Sequence, residues 1–153
     1  MRYVHQSLIA APPARVFAFH EQPGALEKLI PPWEEVRVVQ RGASLSPGAV
    51  VIMRMRLAPP LPLWVTWEAL HTLYEKDLFF QDVQRRGPFS RWVHTHRFLA
   101  EGDQTRLRDE IDFTLPLGPL GQLLGGARVL AQLERMFAFR HQVTRAECEV
   151  SPR

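Results

Sequence analysis

The sequence has a single cysteine, Cys148, so no disulfide can form within the chain. One thiol fits a reducing compartment, and a cytoplasmic location is the simplest expectation. Long apolar runs are also missing. No segment approaches the ~20 apolar residues that span a bilayer, and the opening stretch carries Arg2, His5 and Gln6, unlike a secretory signal. Lysine is scarce: the 19 basic residues are 17 Arg and 2 Lys, set against 16 acidic ones, for a net charge of +3. Arginine stays protonated at any relevant pH, so it lifts the isoelectric point to 9.6 without building a cationic patch. Arg85-Arg86 is the only adjacent basic pair, and a nucleic-acid partner is not expected without clustered charge. Finally, no nucleophile elbow, phosphate loop, dinucleotide fingerprint or paired-cysteine metal motif occurs, and no cofactor is expected.

What is present suits one globular domain over residues 1–153, with 46% apolar and 23% charged side chains. Tyr3 to Ile9 reads as a strand, stopped by Pro12-Pro13, which also preset the backbone for a helix start. Two short helical segments follow, around Val16-Phe17-Ala18-Phe19 and from Ala25 to Ile30, ended by Pro31-Pro32-Trp33. Six strand-like segments then alternate with turn residues: Glu35 to Gln40, Ala49 to Leu57, Leu63 to Glu75, Leu78 to Arg85, Phe89 to Ala100 and Thr105 to Leu115. Their short connections predict an antiparallel meander. From Leu120 the period changes, with Leu123, Ala127, Leu130, Leu133 and Phe137 spaced by three and four and Arg128, Gln132, Arg135 and Gln142 opposite. That pattern predicts an amphipathic helix of roughly 20 residues, about 30 Å long. Gly125-Gly126 within it weakens it by ~1 kcal/mol per glycine relative to alanine and permits close packing or opening.

Ala11-Pro12 ahead of Val16-Phe17, the run from Phe19 to Leu26 closing at Pro31-Pro32-Trp33, Gly87-Pro88-Phe89 with Trp92, His94, His96 and Phe98 at alternate positions, and Leu115-Pro116 with Gly118 resemble the bacterial ligand-binding branch of the SRPBCC superfamily. That superfamily also includes START lipid-transfer domains, polyketide cyclases and aromatases, coenzyme Q-binding proteins and the major birch-pollen allergen. The resemblance covers essentially the whole chain. It implies an α+β helix-grip fold, in which a strongly curved seven-stranded antiparallel sheet wraps around a long C-terminal helix, with two short helices between strands 1 and 2. Because this fold hosts carriers and enzymes alike, it does not by itself assign a function.

Strand alternation indicates which side chains face the concave side. In Thr105 to Leu115 the charged set Arg106, Arg108, Glu110 and Asp112 points outward, leaving Leu107, Asp109, Ile111 and Phe113 inside. In Phe89 to Ala100 the inward set is Trp92, His94, His96 and Phe98. His94 or His96 is therefore placed to pair with Asp109 across the ladder, either as a polar anchor or proton-transfer pair or simply as a satisfied buried hydrogen bond. The phase of Asp82 stays open. Were it inward, Asp82, His94, His96 and Asp109 would share the cavity and a zinc-type site would be conceivable, although no metal is expected. Met53 and Met55 lie opposite Arg54 and Arg56 and so face inward, Trp67 faces inward, and His71 follows it if the phase holds. With Leu130 and Phe137 from the helix, these residues define a candidate pocket rich in aromatic side chains.

The leading expectation is binding, and transport, of a small hydrophobic or amphipathic ligand such as a lipid, quinone or polyketide, with His94, His96 and Asp109 at its polar end. The alternatives are a cyclase or aromatase that uses those three as catalytic candidates, and an interaction module. The interaction reading rests on the leucine- and proline-rich segments Ala58 to Leu63 and Leu115 to Gly121, which also suit a ligand portal, transient membrane contact or a homodimer interface.

Overall fold

The computed structural model describes residues 1–57 and 62–149, so most of the proline-rich segment at Ala58 to Leu61 lies outside the described residues. The chain runs through β1 (Arg2–Ile9), α1 (Pro13–Glu21), α2 (Ala25–Lys28), β2 (Val36–Gln40), β3 (Val50–Leu57), β4 (Leu63–Glu75), β5 (Phe79–Arg86), β6 (Arg91–Glu101), β7 (Gln104–Thr114) and α3 (Gly118–Cys148). Pro13 opens α1 at the position where a missing backbone N–H costs nothing, and Gly24 turns the chain into α2 at φ +86°. β6 begins two residues later than the alternation alone predicts. The Gln84 side chain holds the preceding loop instead, donating to the Phe89 carbonyl at 2.7 Å and accepting from its N–H at 3.2 Å.

All seven strands form one antiparallel sheet in the order β1-β7-β6-β5-β4-β3-β2, the expected meander with β1 closing beside β7. Register shifts between Glu68 and Ala69 and between His71 and Leu73 interrupt the β4–β5 ladder, and such bulges bend a strand and raise its twist. The concave face carries two apolar clusters. One joins Val16 and Phe17 of α1 to Ile9, Phe80, Phe98 and Leu107 of the sheet. The other joins Leu133 and Phe137 of α3 to Tyr3, Trp67, Trp92, Ile111 and Phe113.

The long helix differs from expectation in extent and in orientation. It spans 31 residues, reaching Cys148. Its buried line is Gly126, Leu133, Phe137, His141, Thr144 and Cys148, while Leu120, Leu123 and Leu124 are 55%, 82% and 76% exposed. The stripe expected through Leu120, Leu123 and Ala127 is therefore overturned. The helix meets the sheet along Leu133 and Phe137, and at its N-terminal end Gly126 lies against the Met1 side chain, where a Cβ would come within 2.9 Å of the Met1 methyl. Among the described residues no helix is long and apolar enough to cross a membrane.

Candidate functional site

The sheet and α3 enclose a cavity of about 630 Å³, within the range of small-molecule sites. Its walls are built strand by strand from inward positions: Met53 and Met55 on β3, Trp67, Ala69 and His71 on β4, Phe80 and Asp82 on β5, and Trp92, His94 and His96 on β6. The lid comes from Leu29 and Trp33 after α2 and from Val129, Leu133 and Met136 on α3. The exposed lining residues Trp33, Glu35, Arg128, Gln132 and Arg135 mark the rim, where the Arg135 guanidinium sits 4.1 Å over the Trp33 ring.

Of the sequence-selected residues, Met53, Met55, Trp67, Asp82, Trp92, His94 and His96 border this cavity. Asp109 and Phe137 border only a small adjoining pocket of about 30 Å³. Phe98, Phe113 and Leu130 do not border either space. Phe98 is filled around by Phe17 at 5.0 Å and Phe80 at 5.9 Å between ring centres, Phe113 packs on Trp92 at 6.1 Å and Phe89 at 5.6 Å, and Leu130 packs on the cluster under α3. An inward-pointing side chain can meet another side chain or a hollow, and alternation does not distinguish them.

At one end the cavity wall turns polar. His71, Asp82 and His94 stand side by side across β4, β5 and β6, and His96 faces Asp109 across β6 and β7. The Asp109 carboxylate, nearly fully buried, accepts from three imidazoles: His94 Nε2 at 2.8 Å and His96 Nδ1 at 2.7 Å on Oδ1, and His141 Nε2 at 2.6 Å on Oδ2. His141 is itself tied to Ser7 Oγ at 2.8 Å through Nδ1. On the cavity side, Asp82 Oδ2 lies 3.7 Å from His94 Nδ1 and 3.6 Å from His96 Nε2. Aromatic neighbours lock the rings: Phe80 stacks on His96 at 4.1 Å and Phe137 meets His94 edge-on at 5.2 Å.

Sequence reasoning missed His20, Ala69, Phe80, Arg140 and His141, and two of these had a signal. His141 continues the Leu133, Phe137 series at a spacing of four, and His20 lies four residues after Val16 on the buried side of α1. Asp82 is inward because it follows the buried Phe80 by two residues.

Charge in this cluster is set by burial against proximity. Burial drives the His96 imidazole down, but the Asp109 and Asp82 carboxylates outweigh it and hold the group at about 9. His94 goes the other way, because burial and the neighbouring His96 charge lower it more than Asp109 raises it. Burial works against ionisation of Asp109, yet the His96 charge and bonds from His141, His94 and His96 bring it well below the usual carboxylate range. Asp82 is likewise lowered, since the surrounding imidazoles, His96 foremost, overcome burial. His71 is lowered mainly by burial, and burial pushes His20 down to about 4 despite its bond to the Val16 carbonyl. Two ionised carboxylates thus flank a charged and a neutral imidazole whose rings are 3.8 Å apart.

The comparisons with known proteins agree with this architecture. The family model described as polyketide cyclase / dehydrase and lipid transport matches residues 9–137. No curated protein sequence matches the chain. Among solved structures it is similar to TTHA0849 from Thermus thermophilus, with 23% identity over 96% of both chains and a TM-score of 0.68. It is also similar to CV1439 from Chromobacterium violaceum, with 15% identity over 98% of both chains and a TM-score of 0.73. A third is the Zhui aromatase/cyclase from Streptomyces sp. R1128, with 18% identity over 96% of this chain and 92% of that one and a TM-score of 0.67. At these identities the structural likeness speaks for the helix-grip fold alone.

Proposed function

The chain belongs to the polyketide cyclase / dehydrase and lipid transport family of the SRPBCC superfamily, and from that premise we propose that it binds a small hydrophobic or amphipathic ligand inside the sheet. The observation that carries this reading is the cavity of about 630 Å³, apolar along most of its wall and polar at one end. Trp67, Trp92, Met53 and Met55 offer flat and adaptable apolar surface, so a ring-bearing or chain-like body gains affinity by leaving water. His71, Asp82, His94 and His96 present donors and acceptors to a hydroxyl, carbonyl or similar oxygen at the far end. Transport remains part of the proposal in the sense that such a chain would carry its ligand between a source and a consumer.

A test uses native mass spectrometry of chain purified without denaturation, together with titration of the fluorescent probe anilinonaphthalene sulfonate. One bound small molecule or probe per chain is expected, and Ala69→Trp, which fills the wall beside Trp67, should weaken probe binding at least tenfold while the thermal midpoint shows the fold intact. Probe binding unchanged by Ala69→Trp would place the apolar site elsewhere and overturn the reading.

One observation favours a second reading, an enzyme of the cyclase or dehydratase kind. A charged and a neutral imidazole stand adjacent on the cavity wall, which is the pairing an acid and a base need on one substrate. Loss of turnover with retained probe affinity in His96→Gln supports catalysis, and loss of affinity alone supports the carrier.

A further inference from the structure

The cavity side of the polar cluster has a geometry that hydrogen bonding alone does not explain. Asp82 Oδ2, His94 Nδ1 and His96 Nε2 converge within 4.8 Å of one another, yet the closest approaches to Asp82, 3.6 and 3.7 Å, are too long for good hydrogen bonds. With bonds of about 2.0–2.2 Å from a central ion to nitrogen or oxygen, tetrahedral ligand atoms stand roughly 3.3–3.6 Å apart, close to the two distances from Asp82.

The rear of the cluster is built to match. Asp109 Oδ1 accepts from the opposite nitrogen of each ring, Nε2 of His94 at 2.8 Å and Nδ1 of His96 at 2.7 Å. Donation to Asp109 from Nε2 leaves the lone pair of the neutral His94 imidazole on Nδ1, which faces Asp82, and His96 offers Nε2 there once that nitrogen gives up its proton. A carboxylate behind the histidine is how proteins orient metal-binding imidazoles. The anchor is itself anchored, through His141 to Ser7. Asp82 and Asp109 together supply two negative charges for a dication in a desolvated setting.

A second observation points to the same place independently. His71, the register partner of Asp82, lines the cavity at 6% exposure, and its Nδ1 has no hydrogen-bond partner. Buried polar nitrogens without partners are uncommon and costly, and this one stands next to the converging donors.

We propose that Asp82, His94 and His96 form a site for a divalent first-row cation with imidazole preference, zinc being the reference ion, with its remaining position toward the cavity and His71. Two imidazoles and one carboxylate suit such ions and exclude calcium and magnesium, which take oxygen shells. A cation here would bind the oxygen of a cavity ligand directly, and it would displace the proton from His96 Nε2 on entry. The site stands without the ligand reading, because its test needs only the metal.

Untagged chain is stripped with a chelator, dialysed and titrated with zinc alone by calorimetry and against a chromophoric chelator. One zinc per chain is expected, at a Kd on the order of 1 μM or tighter. The near-isosteric Asp82→Asn and the pair His94→Gln with His96→Gln should each weaken binding at least tenfold, with circular dichroism reporting the fold, while Glu101→Gln, at the exposed far end of β6, should not. Cobalt added to the unaltered chain gives a readout that needs no variant: the His94 and His96 ring protons shift strongly in NMR spectra, and those of Trp64, at the other end of β4 under Arg37 and Arg54, do not. Affinity weaker than about 1 mM, affinity unchanged in Asp82→Asn and in the double variant, or unshifted His94 and His96 signals would each overturn the proposal. Probe binding is measured on the stripped chain, so failure of the metal site and failure of the ligand reading are separable.

Discussion

Replacing Asp109 by Asn tests whether one buried carboxylate organises both the polar cluster and part of the fold. The side chain is 4% exposed and accepts three imidazole nitrogens at 2.6–2.8 Å, from β6 on one side and α3 on the other. Asparagine keeps the shape but removes the charge opposite His96, and its amide presents one acceptor where the carboxylate presented two. Removing one partner of a buried, hydrogen-bonded charge pair costs about 3–5 kcal/mol, a large part of the ~5–15 kcal/mol that holds a domain together. Glu147 supplies the control. It pairs with Lys28 at 2.8 Å, and the two side chains are 36% and 49% exposed. Pairs of this kind are worth about 0–1 kcal/mol. Urea unfolding at pH 7 followed by circular dichroism should therefore separate Asp109→Asn from Glu147→Gln by at least about 2 kcal/mol, the gap between those two ranges. A loss below about 1 kcal/mol for Asp109→Asn, or an equal loss for Glu147→Gln, would refute the idea that the carboxylate ties α3 to the sheet.

Leu133→Ala should cost about 2–5 kcal/mol because Leu133 is 4% exposed, whereas Leu123→Glu, at a position 82% exposed, should stay within about 0.5 kcal/mol in the same unfolding assay. His20 is held at about 4 by burial, so the folded chain refuses a proton that the unfolded chain accepts near 6.5. Its contribution, about 3 kcal/mol for a shift of this size, is fully present above pH 6.5 and is lost as the pH falls toward 4, so His20→Phe should flatten the stability profile across that window. Cys148 is buried and its thiol is pushed up to about 11, so it should resist a thiol-reactive dye at pH 8 in the folded chain and react at once in urea.

Much of the framework is a local property of the sequence. Extended backbone puts successive side chains on opposite faces, so the alternation of β6 and β7 assigned His94, His96 and Asp109 to one face before any packing was considered. Turn residues likewise delimit the strands, and β4 runs over the residues that its flanking turns predict. Local pattern was weaker where it was degenerate. Asp82 has phenylalanines at both phases, and its orientation is settled by Phe80 packing between Phe17, His96 and Phe98. The N-terminal α3 leucines follow a helical period yet face out, because a helix face is chosen by its neighbours, and the sheet packs on Leu133 and Phe137.

Turn chemistry and the period-two pattern by themselves determined an antiparallel meander, a long terminal helix and an inward pair of histidines facing an acid. Only tertiary packing decided that His141 and Ser7, 134 residues apart, complete the Asp109 network, and that Phe98 meets aromatic rings while Met53 meets open space. The physical reason is one of range. Side-chain direction follows from backbone geometry within a few residues, whereas whether that direction ends in a neighbour or a hollow depends on elements that approach only when the sheet bends around the helix.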